Sequence, residues 1–147
     1  MSESLAKARI GSRLEHALDS LRNGRILWVD DHPEWNADLI RLFERHDMVV
    51  HHARSTDEAL ARTRAGTYDL VITDMWRDTE HPSCAAGLTL MDAMGRLRRR
   101  PPIIIYAAQF DPKLGMHPAA FGYAKHANEL VHLVIDIMER AKFGLEI

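Results

Sequence analysis

The stretch formed by residues 69–75 constrains the fold of this chain more than any other feature of the sequence. Leu70, Val71 and Ile72 form a short apolar run that stops at the carboxylate Asp74. Such a run is typical of a strand buried on both faces, as in the centre of a parallel sheet. An ionised carboxylate is costly to bury without a partner, and ligands bind at the carboxyl ends of strands in open α/β sheets. Asp74 is therefore the first candidate for a reactive residue.

Four further apolar runs repeat this pattern and alternate with helical stretches. We predict the strands within residues 25–31, 48–50, 103–106 and 121–124. Helix signals lie between them, such as the capping box that begins at Ser55. Gly87 leads into a further helix, and Asn128 can cap the final one. Strands alternating with helices predict a parallel sheet with helices on both faces. Apolar residues at helical spacing predict an additional amphipathic helix over residues 2–22, so we divide the chain into an N-terminal extension, 1–23, and one α/β domain, 24–147.

Composition narrows the class of protein. The chain has 147 residues and a formal net charge of −2, so it suits one soluble domain and gives no reason to expect a nucleic acid or an anionic membrane as partner. Its single cysteine, Cys84, cannot form an internal disulfide and fits a reducing compartment. Neither a membrane-spanning stretch nor a signal peptide is present in the sequence. We therefore expect a cytoplasmic protein.

Charged residues follow three of the predicted strands. Asp30 and Asp31 end the first strand, Asp74 ends the third and Lys125 follows the fifth. Because the carboxyl ends of parallel strands share one edge, we expect these residues to converge. Three adjacent carboxylates repel one another unless a cation compensates them, and Mg²⁺ binds through one or two carboxylates together with waters and phosphate oxygens. A lysine beside them supplies a positive charge for a phosphoryl oxygen, so the edge suits a phosphoryl group, with Asp74 as the nucleophile.

With these residues in this order, the chain resembles the receiver domain of two-component response regulators. The resemblance extends from about residue 25 to residue 140. It implies an α/β fold with a flavodoxin-like, doubly wound, five-stranded parallel sheet in the order 2-1-3-4-5. It also implies phosphoryl transfer to Asp74 from a histidine kinase or phosphotransfer protein. Asp31, Asp74 and the backbone carbonyl of Trp76 would bind Mg²⁺, Asp30 would act through bound water, and Lys125 would pair with the Asp74 site.

The chain departs from the family pattern in the region that normally transmits phosphorylation. After the fourth strand the family has Thr or Ser followed by Ala, whereas Ala107–Ala108 at this phosphoryl-contacting position lacks the hydroxyl. Tyr123 lies two residues before Lys125, one closer than the usual aromatic switch residue. The loop over residues 76–86 is longer than usual, and glycine and prolines within residues 110–120 allow only a short or irregular helix there.

Three hypotheses follow. The first is a stand-alone receiver that accepts phosphate on Asp74 and signals through a downstream protein target, with a homodimer as an open alternative. The second is a pseudo-receiver adaptor that binds partners without phosphorylation, which Ala107 favours. The third is a Mg²⁺-dependent phosphatase or nuclease, but no second acid/base candidate accompanies Asp74. We therefore expect a protein that is not an enzyme, and the acidic residues with Lys125 favour the first hypothesis.

Overall fold

The chain forms an α/β domain around one parallel sheet. The computed structural model describes residues 18–75, 86–98, 100–107 and 120–144. Within them, five strands pair in parallel in the order β2-β1-β3-β4-β5. Helices cover both faces of this sheet. The doubly wound, flavodoxin-like fold predicted from the sequence is therefore confirmed, including the strand order.

The elements alternate along the chain as the apolar pattern predicts. The five strands are β1 (Arg25–Val29), β2 (Val49–Ala53), β3 (Leu70–Thr73), β4 (Ile103–Tyr106) and β5 (Gly122–Ala124). The helices are α1 (Leu18–Leu21), a 3₁₀ turn (Pro33–Asn36) followed by α2 (Ala37–Arg45), α3 (Thr56–Ala65), α4 (Ala86–Met94) and α5 (Ala127–Lys142).

Side chains of successive strand residues enter two separate cores, one on each face of the sheet. In β1, Ile26 and Trp28 pack with residues of α2 and α5, whereas Leu27 and Val29 pack with residues of α3 and α4. All four of these β1 side chains are at most 1% exposed. Burial on both faces explains why the central strands read as continuous apolar runs rather than as alternating ones. The central strands β1 and β3 are therefore buried along nearly all of their length, and residues that follow their carboxyl ends are the first to approach the surface.

The register of β1 and β3 fixes the geometry of the carboxyl edge. Val29 lies opposite Thr73, so both strands end at the same level and the next residues, Asp30 and Asp74, leave the sheet side by side. The backbone N–H of Asp74 donates to the carbonyl of Val29 at 3.2 Å, which continues the pairing one residue beyond the strands. Adjacent strands lie about 4.8 Å apart, so side chains that follow paired strand ends are neighbours.

Helix starts follow local capping chemistry. Ser55 caps α3, where its Oγ accepts from the backbone N–H of Glu58 at 3.1 Å, as predicted. The Glu58 carboxylate accepts from the N–H of Arg54, one residue earlier than the reciprocal bond of a capping box. The prediction that Asn128 caps the last helix was wrong. His126 occupies that position, because the Glu129 carboxylate accepts its N–H at 3.1 Å and so starts the helix earlier.

Several predicted features lie outside the described residues. These are most of the predicted N-terminal helix, of which Leu18–Leu21 is described, and the irregular segment over residues 110–119. Residues 76–85 of the predicted loop are also outside, whereas Ala86 already belongs to α4. Among the helices that the structure describes, none combines the length and the apolar character needed to cross a bilayer.

Candidate functional site

Three carboxylates converge where β1 and β3 end. Asp30, Asp31 and Asp74 each place one carboxylate oxygen so that the three atoms lie within 4.8 Å of one another. Like charges at this separation repel by roughly 3–4 kcal/mol per pair at an effective dielectric constant of about 20. The folded chain therefore maintains an arrangement that electrostatics alone opposes. We call this cluster the acidic centre.

Asp30 is the most enclosed member of the acidic centre, with 9% of its surface exposed. Its Oδ1 accepts from the backbone N–H of His32 at 2.8 Å, and its Oδ2 accepts from the side-chain amide of Asn36 at 2.9 Å. Burial raises the pKa of Asp30 above its ordinary value, and the charge of Asp31 raises it further. The His32 N–H and a hydrogen bond with Asp74 lower the pKa again, but burial dominates. Asp30 is thus held firmly, and burial makes its ionised form less favourable than it is in water.

Asp31 lies beside an aromatic and histidine pair that borders the acidic centre. Its side chain is 11% exposed, and its Oδ1 lies 3.9 Å from Nε2 of His32. The His32 ring stacks on the indole of Trp35 with centroids 3.9 Å apart and planes 15° from parallel. Nδ1 of His32 lies 3.5 Å from the Glu34 carboxylate. Because Trp35 is 75% exposed, this stack forms a solvent-facing wall next to Asp31.

Asp74 follows β3 and is half-buried. The preceding Thr73 is fully buried, and its hydroxyl donates to the carbonyl of Asp74 at 2.9 Å. Helix α4 approaches this carbonyl closely: a Cβ added at Gly87 would lie 2.6 Å from it. The Gly87 N–H donates to the carbonyl of Met75 at 3.3 Å. A residue without a side chain is therefore needed for α4 to pack against the segment that carries Asp74.

The remaining predicted residues lie along the same sheet edge or outside the described residues. Lys125 is exposed and directly follows β5. Ala107 follows β4, between the strands that lead to Asp74 and Lys125, and its N–H donates to the carbonyl of Ala124 at 3.0 Å. Trp76 and Ala108 lie outside the described residues. The roles predicted for these four residues remain predictions.

Tyr123 packs on the sheet face covered by α3 and α4, where it lies opposite Ile105 of β4. Phe121, two residues earlier, instead packs with the residues of the other face. Phe121 and Tyr123 thus pack on opposite faces of the sheet. The predicted shift of Tyr123 from the position of the usual aromatic switch residue stays a prediction. Tyr106 packs on the face covered by α2 and α5, edge-to-face with Trp28, and burial raises the pKa of its hydroxyl.

The acidic centre has the chemistry of a hard-cation site. Its donors are all carboxylate oxygens, which Mg²⁺ prefers, and they come from the two chain segments that follow β1 and β3. Mg²⁺ usually keeps several waters and takes phosphate oxygens as further ligands. The repulsion among the three carboxylates supplies the driving force for binding a cation. The residues present therefore fit a magnesium ion.

Two residues of the site were not identified from the sequence. Asn36 reads as an ordinary helix cap, and nothing in its local pattern indicates that its amide reaches back to Asp30. Gly87 was predicted only as the start of a helix, although a glycine directly after the loop that follows Asp74 was an available signal for close backbone approach. Both contacts join residues from different elements, so only the folded arrangement reveals them.

Comparison with known proteins places this geometry in a family. The family model for the response regulator receiver domain matches residues 26–126. Among solved structures, the response regulator TrrA of Thermotoga maritima, in complex with Mg²⁺–BeF, is 25% identical with a TM-score of 0.66, over 78% of this chain and 98% of that one. A response regulator receiver domain protein of Clostridium thermocellum is 23% identical with a TM-score of 0.67, over 83% and 99%. No curated protein matched the chain.

Proposed function

We propose that this chain, which belongs to the response regulator receiver domain family, accepts a phosphoryl group on Asp74 in a Mg²⁺-dependent reaction and signals through protein–protein contacts. The observation that carries the proposal is the convergence of the carboxylates of Asp30, Asp31 and Asp74 within 4.8 Å. A carboxylate cluster that costs stability is retained where it performs a function.

The three carboxylates have different surroundings, which suits them to different roles. Asp30 is enclosed and fixed by two donors, so it is placed to hold a metal-bound water rather than to react. Asp31 and Asp74 would hold the Mg²⁺ through their oxygens, and the ion would supply positive charge for a phosphoryl oxygen of the donor. The ion would be completed by waters, by the donor's phosphoryl oxygen and by the backbone carbonyl of Trp76.

In the transfer step, a carboxylate oxygen of Asp74 attacks the phosphorus of the donor. The new oxygen–phosphorus bond forms as the bond between phosphorus and the donor's leaving group breaks, and the leaving group departs with the electron pair. Lys125, which follows β5 on the same edge, supplies a positive charge for a phosphoryl oxygen. The product is an acyl phosphate on the chain itself, so we propose that the chain is not an enzyme acting on a separate substrate.

The proposal is tested by incubating the protein with Mg²⁺ and acetyl phosphate and measuring intact mass. We expect the mass of one phosphoryl group to be gained by the wild type and not by Asp74→Asn. Chelation of Mg²⁺ should also abolish the gain. Asp69→Asn is the matched control, because this carboxylate precedes β3 at the opposite end of the same strand. A wild type that gains no mass at millimolar Mg²⁺ would refute phosphorylation by this donor.

Ala107 favours a second candidate function, a pseudo-receiver adaptor. It stands where the family pattern has Thr or Ser, so the hydroxyl that would contact the phosphoryl group is missing. Under this alternative, the protein binds its partners equally well with and without beryllofluoride and Mg²⁺. Under the first proposal, beryllofluoride changes partner binding, and Ala107→Thr increases that change.

Partners follow from the family. Receiver domains interact with histidine kinases or phosphotransfer proteins, and we propose a donor of that class for this chain, together with a downstream protein target. A cytoplasmic location, where such donors present their phosphohistidine, is part of the same proposal. Phosphotransfer from a purified histidine kinase to Asp74, followed by radiolabel, tests the partner class directly.

A further inference from the structure

The side chain of Asn36 does not make the hydrogen bond that its position at the start of a helix predicts. Asn36 ends the 3₁₀ turn and occupies the N-cap position of α2, where asparagine commonly accepts a hydrogen bond from the helix backbone. Here the side chain makes no capping bond. Its amide nitrogen instead donates to Oδ2 of Asp30 at 2.9 Å, across a gap of six residues. The side chain of Asn36 therefore contacts Asp30 of the acidic centre instead of stabilising the start of α2.

This contact completes the hydrogen bonding of Asp30. The His32 N–H holds Oδ1 and the Asn36 amide holds Oδ2, so the carboxylate cannot rotate without losing a bond. Because the amide is neutral, it orients Asp30 without cancelling the negative charge that attracts a cation. A lysine or arginine at this point would compete with the metal.

We infer that Asn36 is a positioning residue for the Mg²⁺ site, acting through Asp30. The inference rests on the proposed function, since it assigns a role in the binding of the ion on which phosphorylation depends. Groups that orient metal-binding residues from behind typically change metal affinity by 10- to 100-fold when removed. Since Asp30 acts through water, we place the effect at the lower limit, roughly tenfold.

The test uses Asn36→Ser, because serine is as good an N-cap as asparagine, so α2 is retained. Its Oγ stands where the amide carbon stood and does not reach Asp30. The Mg²⁺ concentration for half-saturation is measured by tryptophan fluorescence and checked with free Mn²⁺ by electron paramagnetic resonance. We expect it to rise roughly tenfold in Asn36→Ser. It should stay within twofold in Asn128→Ser, an exposed asparagine in the first turn of α5.

A double-mutant cycle with Asp30→Asn separates positioning from a general structural role. If Asn36 acts through Asp30, Asn36→Ser changes the half-saturation concentration less than twofold in the Asp30→Asn background. An equal loss in both backgrounds would overturn the inference, and so would an unchanged constant in Asn36→Ser. Thermal unfolding without metal reports whether each variant is folded, and Asn36→Thr supplies a second, neutral capping variant if the serine variant unfolds. A wild type that binds neither ion would overturn the proposed function together with this inference.

Discussion

Charged residues are arranged in opposite ways at the two ends of the central strands. At the carboxyl end, Asp30 and Asp74 belong to a cluster of like charges whose members repel. At the amino end, Arg25 is paired with complementary groups: its N–H donates to the carboxylate of Asp69 at 2.8 Å, and its guanidinium donates to the carbonyl of Thr67 at 2.9 Å. The guanidinium carbon also lies 5.5 Å from the centroid of the Tyr68 ring. We call these paired residues the Arg25 cluster.

This difference in charge pairing indicates that the amino end of the strands stabilises the fold, whereas the carboxyl end carries the candidate functional site. Every charge pairing of the Arg25 cluster favours the folded chain, because removing one partner leaves the other unsatisfied. In the acidic centre, removing the charge of one carboxylate relieves repulsion. Substitutions of the same kind should therefore have opposite effects on stability at the two ends, and the following predictions test this, from the largest expected effect to the smallest.

Gly87→Ala should lower the free energy of unfolding by about 1–3 kcal/mol, the usual cost of overpacking. The added Cβ would lie 2.6 Å from the carbonyl oxygen of Asp74, and this clash outweighs the gain in helix propensity. The control is Gly66→Ala near the Arg25 cluster, where a Cβ meets its nearest atom at 3.8 Å and the backbone is extended. Urea denaturation measures both variants. Equal losses would contradict a close approach specific to the acidic end.

Asp69→Ala should destabilise the fold by about 1–2 kcal/mol, because it removes the acceptor of the Arg25 backbone N–H. This N–H lies at the first residue of β1, so the loss weakens the entry of a central strand. Thermal unfolding gives the magnitude. Asp38→Ala is the comparison: its carboxylate is exposed and pairs with Arg41, so a change within about 0.5 kcal/mol is expected there.

Asp30→Asn should raise the stability of the metal-free protein at pH 7.5, which is the opposite sign. The pKa of Asp30 is raised on folding, so the folded chain favours the protonated form and ionisation costs stability above that pKa. As the pH falls through the raised pKa, the wild type becomes protonated and the advantage of Asp30→Asn should shrink. Melting temperatures from pH 7.5 to pH 4 without Mg²⁺ measure this. A destabilised variant at pH 7.5 would contradict the repulsion.

His51 should give the smallest effect. Burial is the largest cause that lowers the pKa of His51, and the charges of Arg25, Arg62 and His52 lower it further. Nδ1 of His51 lies 2.8 Å from the Tyr68 hydroxyl. A lowered pKa means that the folded chain favours the neutral imidazole ring of His51. The stability that this ring contributes is fully present above its ordinary pKa of 6.5, and it is lost as the pH falls through the lower pKa of the folded state.

His51→Gln should therefore reduce the difference in melting temperature between pH 7.5 and pH 5, with little change at pH 7.5. Glutamine keeps a polar group for the Tyr68 hydroxyl but does not titrate. His132→Gln, on the last helix, is the control for histidine titration in general. An unchanged pH dependence in His51→Gln would show that the ring is not disfavoured when charged.

Local sequence predicted well the features that depend on nearest neighbours. The apolar runs identified all five strands, and the family match confirmed the resemblance first inferred from the acidic pair, Asp74 and Lys125. The cap at Ser55 was also predicted, because capping joins residues three apart. The predicted start of α5 at Asn128 was wrong. The Glu129 carboxylate accepts the N–H of His126, so the helix begins two residues earlier.

The sequence by itself determined the strands and the edge at which the acidic residues gather, because apolar periodicity reflects the hydrophobicity that each residue carries with it. The strand order came from the resemblance to receiver domains. Only the tertiary structure decided how those acidic residues are held. The amide of Asn36 turns from its helix to Asp30, and Gly87 admits α4 to the carbonyl of Asp74, because contacts between elements depend on distances that no local pattern encodes. The fold follows from where side chains avoid water, whereas the chemistry of the site follows from which neighbours the packing brings within hydrogen-bonding distance.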